Sequence, residues 1–434
     1  MPGAGRAKWA TVLRGPGPLC ENRQPFRCVL AAHVSDSIEY PPLFLKPGED
    51  ARLRAGHLWV FANEVDVKRS PLTDFQPGDT CVLVDAKGKG IGVAYVNPAS
   101  LICARMVSRG LNHDWDRSLL VHRIKVALGL RERLFDTPHY RLFFGESDGV
   151  PGLTLDRFGD VIVAQATTAG VERMKDDVAE AVQKVLKPAA MIWKNDAGIR
   201  ELEGLPSYSE MAFGEIDGPV SVMESGVEFR VDVREGQKTG WFYDQRANRD
   251  LLAPLFKGKR VLDMFSYLGG WGLRAAAAGA SEVVCVDASA DAVAAVDANA
   301  ALNGLSERVS AVKADAFDFL RQLREQREHF DIVILDPPAF VKRKKNLREG
   351  RDAYRRLNEL GMQVCGKDGL LATFSCSYHM PRAMLLDGIQ RGARHLDRQV
   401  QVLSQLQQSP DHPVHPAIPE TDYLKGYLCR VLPA

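Results

Sequence analysis

The stretch VLDMFSYLGGWG, residues 261–272, has the pattern of a buried strand that passes through a glycine turn into a helix. The adjacent Gly269 and Gly270 let a ligand approach the backbone where the helix begins. The turn lacks both G-x-G-x-x-G and a Lys-Ser/Thr pair, the signatures of dinucleotide and nucleoside triphosphate sites. A nucleoside without phosphates therefore fits this turn better than NAD or ATP.

The alternation of strand and helix continues towards the C-terminus. Five apolar runs are separated by segments of helical length: RVLDMFS, VVCVDAS, VSAVKAD, DIVILDPP and LLATFSCS. This pattern is typical of parallel strands joined by crossover helices. It predicts the α/β fold class, with a doubly wound, Rossmann-like domain over residues 220–434.

The N-terminal half has a different pattern. Residues 43–112 contain short alternating segments and a turn at residues 87–90, which predict a small β-barrel domain with a hairpin. Residues 113–219 mix helical stretches, at residues 117–135 and 171–186, with short strands, and we interpret them as an α+β middle domain. Residues 1–42 are predicted to be a disordered extension.

The composition excludes several classes of protein. Of the 434 residues, 45% are hydrophobic and 26% are charged, and the formal net charge of +1 neither favours nor excludes nucleic acid. The eight cysteines include no C-x-x-C pair, so we predict no metal site and no disulfide framework. No apolar run approaches the ~20 residues of a membrane helix. We therefore expect a cytoplasmic protein without membrane contact.

Polar residues follow the predicted parallel strands. Four of the five strands end in an aspartate and the fifth ends in a cysteine: Asp263, Asp287, Asp315, Asp336 and Cys376. Ligands of open parallel sheets bind beyond the carboxyl ends of the strands. Asp287 can accept both hydroxyls of a ribose there, and Asp315 can accept from an adenine amino group. The alternative for each aspartate is the N-cap of the following helix.

The segment Asp336-Pro337-Pro338-Ala339-Phe340 is the sharpest of these strand ends. Two prolines fix a rigid turn and cannot join the strand ladder, so the preceding carboxylate faces the cleft. A planar base placed there can be held by Asp336 and Phe340. The alternative is a turn without function.

A strongly basic run, residues 342–356, follows this turn and carries eight basic residues against two acidic ones. It begins with Lys342, Arg343, Lys344 and Lys345. The run is either a solvated helix face or a surface that contacts nucleic-acid phosphates. Its position beside a predicted base-binding turn favours the phosphate contact.

These motifs resemble class I S-adenosylmethionine-dependent RNA methyltransferases. They are closest to the 5-methylcytosine branch that modifies large-subunit ribosomal RNA, the ribosomal RNA large subunit methyltransferase I family. The resembling segments are GQKTGWFYDQRANR, VLDMFSYLGGWG, VDAS, FDIVILDPPAFV, FSCS, DHPV and YLKGYLCRVL. Further upstream, LKPGEDARLRAGHLWVFANEV looks like the start of the family's PUA domain, an RNA-binding barrel. The chain departs from the family pattern at Leu58 and Ala339.

The resemblance implies S-adenosylmethionine as the cofactor and ribosomal RNA as the partner, and it is compatible with a homodimer. The predicted cofactor-binding residues are Asp263, Phe265, Ser266, Gly269, Gly270, Asp287 and Asp315. The predicted RNA-binding residues are Pro337, Pro338, Phe340, Lys342, Arg343, Lys344 and Lys345.

The resemblance also assigns catalytic roles to Cys376 and Asp336. Carbon 5 of cytosine is a poor nucleophile, and addition of a thiolate to carbon 6 activates it. The family's nucleophile is the cysteine of the S-C-S motif, here Cys376. Asp336 is expected to hydrogen-bond N3 and the exocyclic amine of the cytosine. The alternative for Cys376 is a small buried hydrophobic residue.

Three other functions compete with this hypothesis. A ribosomal RNA methyltransferase acting on guanine N2 or N7, or on adenine N6, uses a similar turn without a thiol. A noncatalytic RNA-binding or assembly protein can retain the fold, but the intact Asp263, Asp287, Asp336 and Cys376 argue against it. A nicotinamide dehydrogenase is disfavoured because G-x-G-x-x-G is missing.

Overall fold

A five-stranded sheet begins the part of the protein that our computed structural model describes, residues 40–434. Residues 1–39, which hold nearly all of the predicted extension, lie outside the described residues. The elements are β1 (Pro42–Phe44), α1 (Ala51–Arg54), β2 (Trp59–Val60), β3 (Thr80–Val84), β4 (Gly90–Val96) and β5 (Ala104–Ser108). The predicted hairpin is confirmed, because β3 and β4 pair antiparallel. The Asp85 carboxylate holds its turn by accepting from the Lys87 and Lys89 amides.

A second five-stranded sheet follows, in the order β10-β9-β8-β7-β6. Its strands are β6 (His139–Phe144), β7 (Leu153–Phe158), β8 (Val161–Ala166), β9 (Ala190–Asn195) and β10 (Tyr208–Phe213). Its helices are α2 (Arg117–Leu134), α3 (Ala169–Arg173) and α4 (Lys175–Leu186). Asp116 caps α2 by accepting from the Leu119 amide. The predicted domain boundaries at residues 112 and 219 stay predictions.

The C-terminal half is built on a seven-stranded sheet in the order β15-β14-β13-β16-β17-β19-β18. A hairpin and a helix precede it: β11 (Val220–Glu224), β12 (Val227–Val231) and α5 (Arg246–Leu252). The sheet strands are β13 (Arg260–Met264), β14 (Glu282–Asp287), β15 (Val309–Lys313), β16 (Phe330–Leu335), β17 (Cys365–Ser375), β18 (Arg398–Gln407) and β19 (Lys425–Pro433). The helices are α6 (Gly270–Ala277), α7 (Ala290–Leu302), α8 (Ala316–Gln326), α9 (Leu347–Val364) and α10 (Arg382–His395).

The predicted doubly wound sheet is confirmed by the parallel pairing of β13, β14, β15, β16 and β17. The sequence did not indicate β18 and β19, which add two antiparallel strands at the β17 edge. The exposed β18 carries polar residues at most positions, so it lacks the apolar run by which the inner strands were recognised.

Both faces of the sheet are buried at its central strands. Neighbouring residues of β13 point into different apolar clusters, Val261 into one and Leu262 into the other. A strand covered on both faces has no polar side, which explains its continuous apolar sequence. Within residues 40–434, no helix is long and apolar enough to cross a membrane.

Candidate active site

A cavity of about 470 Å³ opens at the carboxyl ends of the central parallel strands. Its walls come from the loops after β13, β14, β16 and β17 and from residues 237–249. Strand β13 pairs with β14 on one side and with β16 on the other, so the strand order reverses beside this cavity. Open α/β sheets bind their ligands at such a switch point. We call it the main cavity.

The loop after β13 has an unusual backbone. Phe265 and Tyr267 adopt φ angles of 64° and 50°, in the left-handed region that few non-glycine residues occupy. Backbone of this kind persists only where the surroundings hold it, and it clusters at ligand sites. A Cβ on Gly270, which begins α6, would lie 3.3 Å from both Trp241 and Arg249. The loop therefore brings bare backbone to the cavity wall.

Asp287, at the end of β14, orders this loop and retains free acceptor capacity. One carboxylate oxygen accepts from the Tyr267 amide at 3.0 Å, and the other accepts from the Ser289 amide at 2.9 Å. Each oxygen of a carboxylate can accept two hydrogen bonds. The half-buried Asp287 lines the cavity and can therefore also take the two hydroxyls of a ribose.

The wall of the main cavity fits the predicted cofactor. The hydroxyl of Ser266 is buried and finds no hydrogen-bond partner among the described residues, so it is free for a polar ligand. The acids Asp287 and Asp336 line the same space, which suits a positively charged sulfonium. The volume lies within the range of about 300–1,000 Å³ that is usual for small-molecule sites.

Two predicted cofactor-binding residues lie behind this wall. Asp263 is fully buried, and its carboxylate accepts from the Gly272 amide at 2.9 Å. Burial raises the pKa of Asp263 to about 8. Gly269 supplies a left-handed turn with φ of 81° just before α6. Both residues shape the loop, and their contact with the cofactor stays a prediction.

Two further predicted residues lie outside the lining of the main cavity. Asp315 caps α8, because its carboxylate accepts from the Phe317 and Asp318 amides at 2.9 and 3.0 Å. This is the N-cap alternative that the sequence left open. Phe340 packs against Tyr354 with 4.7 Å between the ring centroids. The predicted contacts of Asp315 with adenine and of Phe340 with a base gain no support from this placement.

The turn after β16 places Asp336, Pro337 and Pro338 in the cavity wall. The Trp271 indole donates to the Asp336 carboxylate at 3.2 Å. Burial nevertheless raises the pKa of Asp336 to about 6. The carboxyl can therefore take up or release a proton close to neutral pH.

Cys376 follows β17 and lies in the same wall, with its sulfur 3.9 Å from the carbonyl oxygen of Pro337. Burial raises the pKa of the Cys376 thiol, and the positive charge of Lys238 lowers it in part. The neighbouring carboxylates of Asp336 and Asp244 raise it further. The structure thus brings together the two predicted catalytic groups, Cys376 and Asp336.

The serines that flank Cys376 hold its loop in place. The Ser377 hydroxyl accepts from the Val341 amide at 3.1 Å and lies 2.9 Å from the Tyr354 hydroxyl. The buried ammonium of Lys425 donates to the Ser377 carbonyl at 3.0 Å. Ser375 is fully buried, and its hydroxyl accepts from the Ser377 amide. Both hydroxyls are thus engaged in fixing the position of the thiol.

The basic residues Lys342, Arg343, Lys344 and Lys345 are exposed in the loop between the Asp-Pro-Pro turn and α9. The later part of the run forms α9, which buries Tyr354 and Leu357 on one face. The run is therefore a basic loop followed by an amphipathic helix, and only the loop presents four consecutive charges to solvent.

Residues 237–245 line one side of the main cavity, although no motif in the sequence assigns them a role. The Tyr267 hydroxyl links this segment to the glycine turn, accepting from the Gln237 amide at 3.0 Å and donating to the Gly240 carbonyl at 3.1 Å. The segment contributes Lys238, Trp241, Phe242, Asp244 and Gln245. The resemblance included GQKTGWFYDQRANR, and that was the one signal available.

Comparisons with known proteins give the same class as the fold and the cavity. The family model of S-adenosylmethionine-dependent methyltransferases matches residues 205–427, and a PUA-like domain model matches residues 43–109. A structure titled as a methyltransferase complexed with SAH has a TM-score of 0.78, and one of a SAM-dependent methyltransferase from Streptococcus mutans has 0.77. Both are 22% identical to this chain, cover 90% of it and 100% of their own chains, and show the fold.

Sequence relatives specify the class further. Ribosomal RNA large subunit methyltransferase I of Shewanella denitrificans is 36% identical over 392 residues, 89% of this chain and 98% of that protein. The Erwinia tasmaniensis protein of the same name is 36% identical over 395 residues, 90% of this chain and 99% of that protein. This chain belongs to the ribosomal RNA large subunit methyltransferase I family. It is an enzyme, and its cofactor is S-adenosylmethionine.

Proposed function

We propose that this enzyme forms 5-methylcytosine in large-subunit ribosomal RNA through a covalent adduct between Cys376 and the target base. The observation that carries the proposal is the meeting of Cys376, Asp336 and the cofactor loop in the wall of one cavity. A methyltransferase acting on nitrogen needs no thiol at this position. The relatives' name supports ribosomal RNA as the substrate.

The thiol overcomes the low reactivity of carbon 5. The Cys376 sulfur forms a bond to carbon 6 of cytosine, and the electron pair of the carbon 5–carbon 6 double bond makes carbon 5 nucleophilic. Bound S-adenosylmethionine supplies an electrophilic methyl group, which carbon 5 accepts as the methyl–sulfur bond breaks and S-adenosylhomocysteine leaves. After carbon 5 has lost its proton to a base, the carbon–sulfur bond breaks and Cys376 leaves as a thiolate. The double bond is then restored.

Asp336 stabilises the ring while the adduct exists. Addition of sulfur at carbon 6 places negative charge on the N3 side of the ring, and protonation of N3 neutralises that charge. A carboxyl whose pKa is about 6 is mostly ionised at pH 7 and above, and the carboxylate can accept a hydrogen bond from N3 when that nitrogen is protonated. The Trp271 indole keeps the carboxyl in place by donating to its other oxygen.

Two parts of the chain support RNA as the substrate. The exposed Lys342, Arg343, Lys344 and Lys345 lie directly after the Asp-Pro-Pro turn, within reach of the phosphates that flank a base in the cavity. The PUA-like domain over residues 43–109 supplies a second module of an RNA-binding type. We also expect a cytoplasmic location, because ribosomal RNA is found there. That location and the homodimer stay predictions.

Mass spectrometry of RNA nucleosides tests the proposal directly. Large-subunit ribosomal RNA made by transcription is incubated with the enzyme and with cofactor carrying a deuterated methyl group, and is then digested to nucleosides. We expect labelled 5-methylcytidine as the product. Labelled methylguanosine or N6-methyladenosine would instead identify a nitrogen methyltransferase and refute the proposal.

A further inference from the structure

A second, smaller cavity adjoins the main cavity. It has a volume of about 180 Å³ and shares Lys238, Trp241, Phe242 and Asp244 with the main cavity. Cys376 and Asp336 lie on the main-cavity side of this junction. A group bound in the side cavity, as we call it, can therefore extend towards the thiol.

The side cavity has the lining of a site for a planar ring. The aromatic side chains of Phe144, Phe242 and Tyr423 are half-buried around it. The centroids of the Phe144 and Tyr423 rings lie 6.2 Å apart, and their planes are inclined by 42°. Enzymes that modify a base inside structured RNA or DNA take it out of the stack and hold it against aromatic or apolar side chains.

Asp244 stands at the junction with one oxygen unused. Its side chain is buried, and one carboxylate oxygen accepts from the Tyr423 hydroxyl at 2.6 Å. The other oxygen, Oδ1, is buried and has no hydrogen-bond partner within residues 40–434. A buried acceptor without a partner is costly, so it points to a donor that a ligand brings.

The charge of Asp244 is maintained by its surroundings. Burial raises the pKa of this carboxyl, but Lys238, His412, the Tyr423 hydroxyl and Arg141 together lower it by more, so the pKa lies below its ordinary value. The free oxygen is therefore an ionised acceptor at neutral pH. Its charge also raises the pKa of the Cys376 thiol, which shows that the two groups lie within electrostatic range.

The next residue, Gln245, carries a free donor in the main cavity. Its amide oxygen accepts from Asn248 at 2.7 Å, which directs the amide nitrogen the other way. That nitrogen is buried and lies near the Asp336 carboxylate, whose pKa it lowers, but it makes no well-formed hydrogen bond in the described part of the chain. An unused acceptor and an unused donor on consecutive residues match the Watson–Crick edge of cytosine, which offers an amino group beside ring acceptors. Uracil has a carbonyl oxygen in place of that amino group.

We propose that the target base enters through the side cavity and lies at its junction with the main cavity, where Asp244 selects cytosine by accepting a hydrogen bond from its exocyclic amine. This inference rests on the proposed function. In it two carboxylates contact the same base, Asp244 at the exocyclic amine and Asp336 at N3. A carboxylate that faces the carbonyl oxygen of uracil is repelled and leaves its own charge unpaired, so uridine is rejected.

The test measures discrimination. After mass spectrometry has located the modified cytidine, short RNAs are made with cytidine or with 2-pyrimidinone ribonucleoside at that position. The 2-pyrimidinone lacks only the amine. We expect wild-type kcat/KM to be roughly tenfold to a hundredfold higher for cytidine, the range for a hydrogen bond to a charged group. For Asp244→Ala we expect the kcat/KM values of the two RNAs to differ by less than about threefold.

Controls separate this role from folding and cofactor binding. Asp217→Asn, a change at an exposed acid, should keep the wild-type ratio of kcat/KM between the cytidine and 2-pyrimidinone RNAs. Asp244→Asn preserves side-chain shape and an oxygen for Tyr423, and it replaces the alanine variant if that variant does not fold. Calorimetry with S-adenosylmethionine should give both Asp244 variants an affinity within threefold of wild type. A loss of that affinity would assign Asp244 to the cofactor and overturn the inference.

The two proposals fail in different ways. If wild type makes 5-methylcytidine but the Asp244 variants keep the wild-type ratio, the inference is wrong and the proposed function stands. If wild type methylates a purine, both are wrong. If the Asp244 variants lose the kcat/KM preference for the cytidine RNA while their cofactor affinity stays normal, the inference is supported.

Discussion

The sulfur of Cys376 lies 3.9 Å from the carbonyl oxygen of Pro337, although the two residues are 39 positions apart in sequence. Parallel pairing of β16 with β17 produces this contact, because Leu335 is registered against Thr373 and both strands end at the same edge. The nucleophile and the Asp-Pro-Pro turn are therefore positioned by one stretch of sheet.

Replacing the proposed nucleophile should separate catalysis from binding. We expect Cys376→Ala to abolish methylation of ribosomal RNA while S-adenosylmethionine affinity stays within a few fold, because the thiol is one of many groups in the cavity wall. Radiolabelled methyl transfer and calorimetry give the two readouts. Cys365→Ala, at a buried cysteine outside the cavity, is the matched control and should stay active. Wild-type turnover by Cys376→Ala would refute the covalent mechanism.

Methylation should accelerate with pH. Burial raises the pKa of the Cys376 thiol above its ordinary value, so the thiolate is a minor species at pH 7 and increases as the pH rises. We expect kcat/KM to rise between about pH 7 and pH 9. Lys238 lowers the thiol pKa, so Lys238→Gln should move the rise to higher pH. Lys87→Gln, on the exposed β3–β4 turn, should leave the profile in place. An identical profile for Lys238→Gln would contradict this account of the thiol.

The basic loop should account for part of the salt dependence of RNA binding. We expect the combined change of Lys342, Arg343, Lys344 and Lys345 to glutamine to weaken binding without altering cofactor affinity. The slope of log affinity against log salt should fall by up to about 3, because each phosphate contact contributes roughly 0.7–0.9. Filter binding over a series of salt concentrations measures this slope.

The control for this loop lies at the other end of the sheet. Lys257 and Lys259 are exposed just before the amino end of β13, away from the cavity. Changing both to glutamine should leave the slope close to that of wild type. Equal losses in the two variants would mean that the loop contributes only general positive charge.

A buried arginine should be important for stability. Arg131 of α2 is fully buried, donates to both carboxylate oxygens of Asp148 at 2.7 Å, and donates to the Asp411 carbonyl at 2.7 Å. Arg131→Met leaves the Asp148 charge without this partner, which should cost roughly 3–5 kcal/mol in the free energy of unfolding. Urea unfolding followed by circular dichroism measures it. Arg133→Met, on the exposed face of α2, should change the free energy little, and a similar small loss for Arg131→Met would contradict the prediction.

Most strands could be predicted because their residues carry the signal locally. Strands β13 to β17 read as apolar runs, since a strand buried on both faces has no polar side. The edge strand β18 could not be recognised in this way. The predicted helix over residues 171–186 proved to be two helices interrupted at Met174, a break without a proline or glycine to indicate it.

The site was only partly accessible to the same reasoning. An aspartate after a strand either caps the next helix or faces the ligand, and sequence does not distinguish the two. The Asp315 carboxylate accepts hydrogen bonds from the first amides of α8. Asp287 instead accepts from an amide of the loop after β13 and still lines the cavity. Phe340 was predicted to hold a base, but its ring packs against Tyr354.

The sequence by itself determined the parallel sheet, the glycine turn after β13, the rigid Asp-Pro-Pro turn and a cysteine at a strand end. These depend on local backbone preferences and on apolar periodicity. Only the tertiary structure decided that residues 237–245 form one wall of the main cavity and leave Asp244 Oδ1 and the Gln245 amide nitrogen without a well-formed hydrogen bond in the described chain. That segment lies between β12 and α5, and its place depends on long-range contacts such as the Tyr267 hydroxyl with Gly240 and Tyr423 with Asp244. No local pattern encodes such contacts, because each joins side chains that meet only after the sheet has formed.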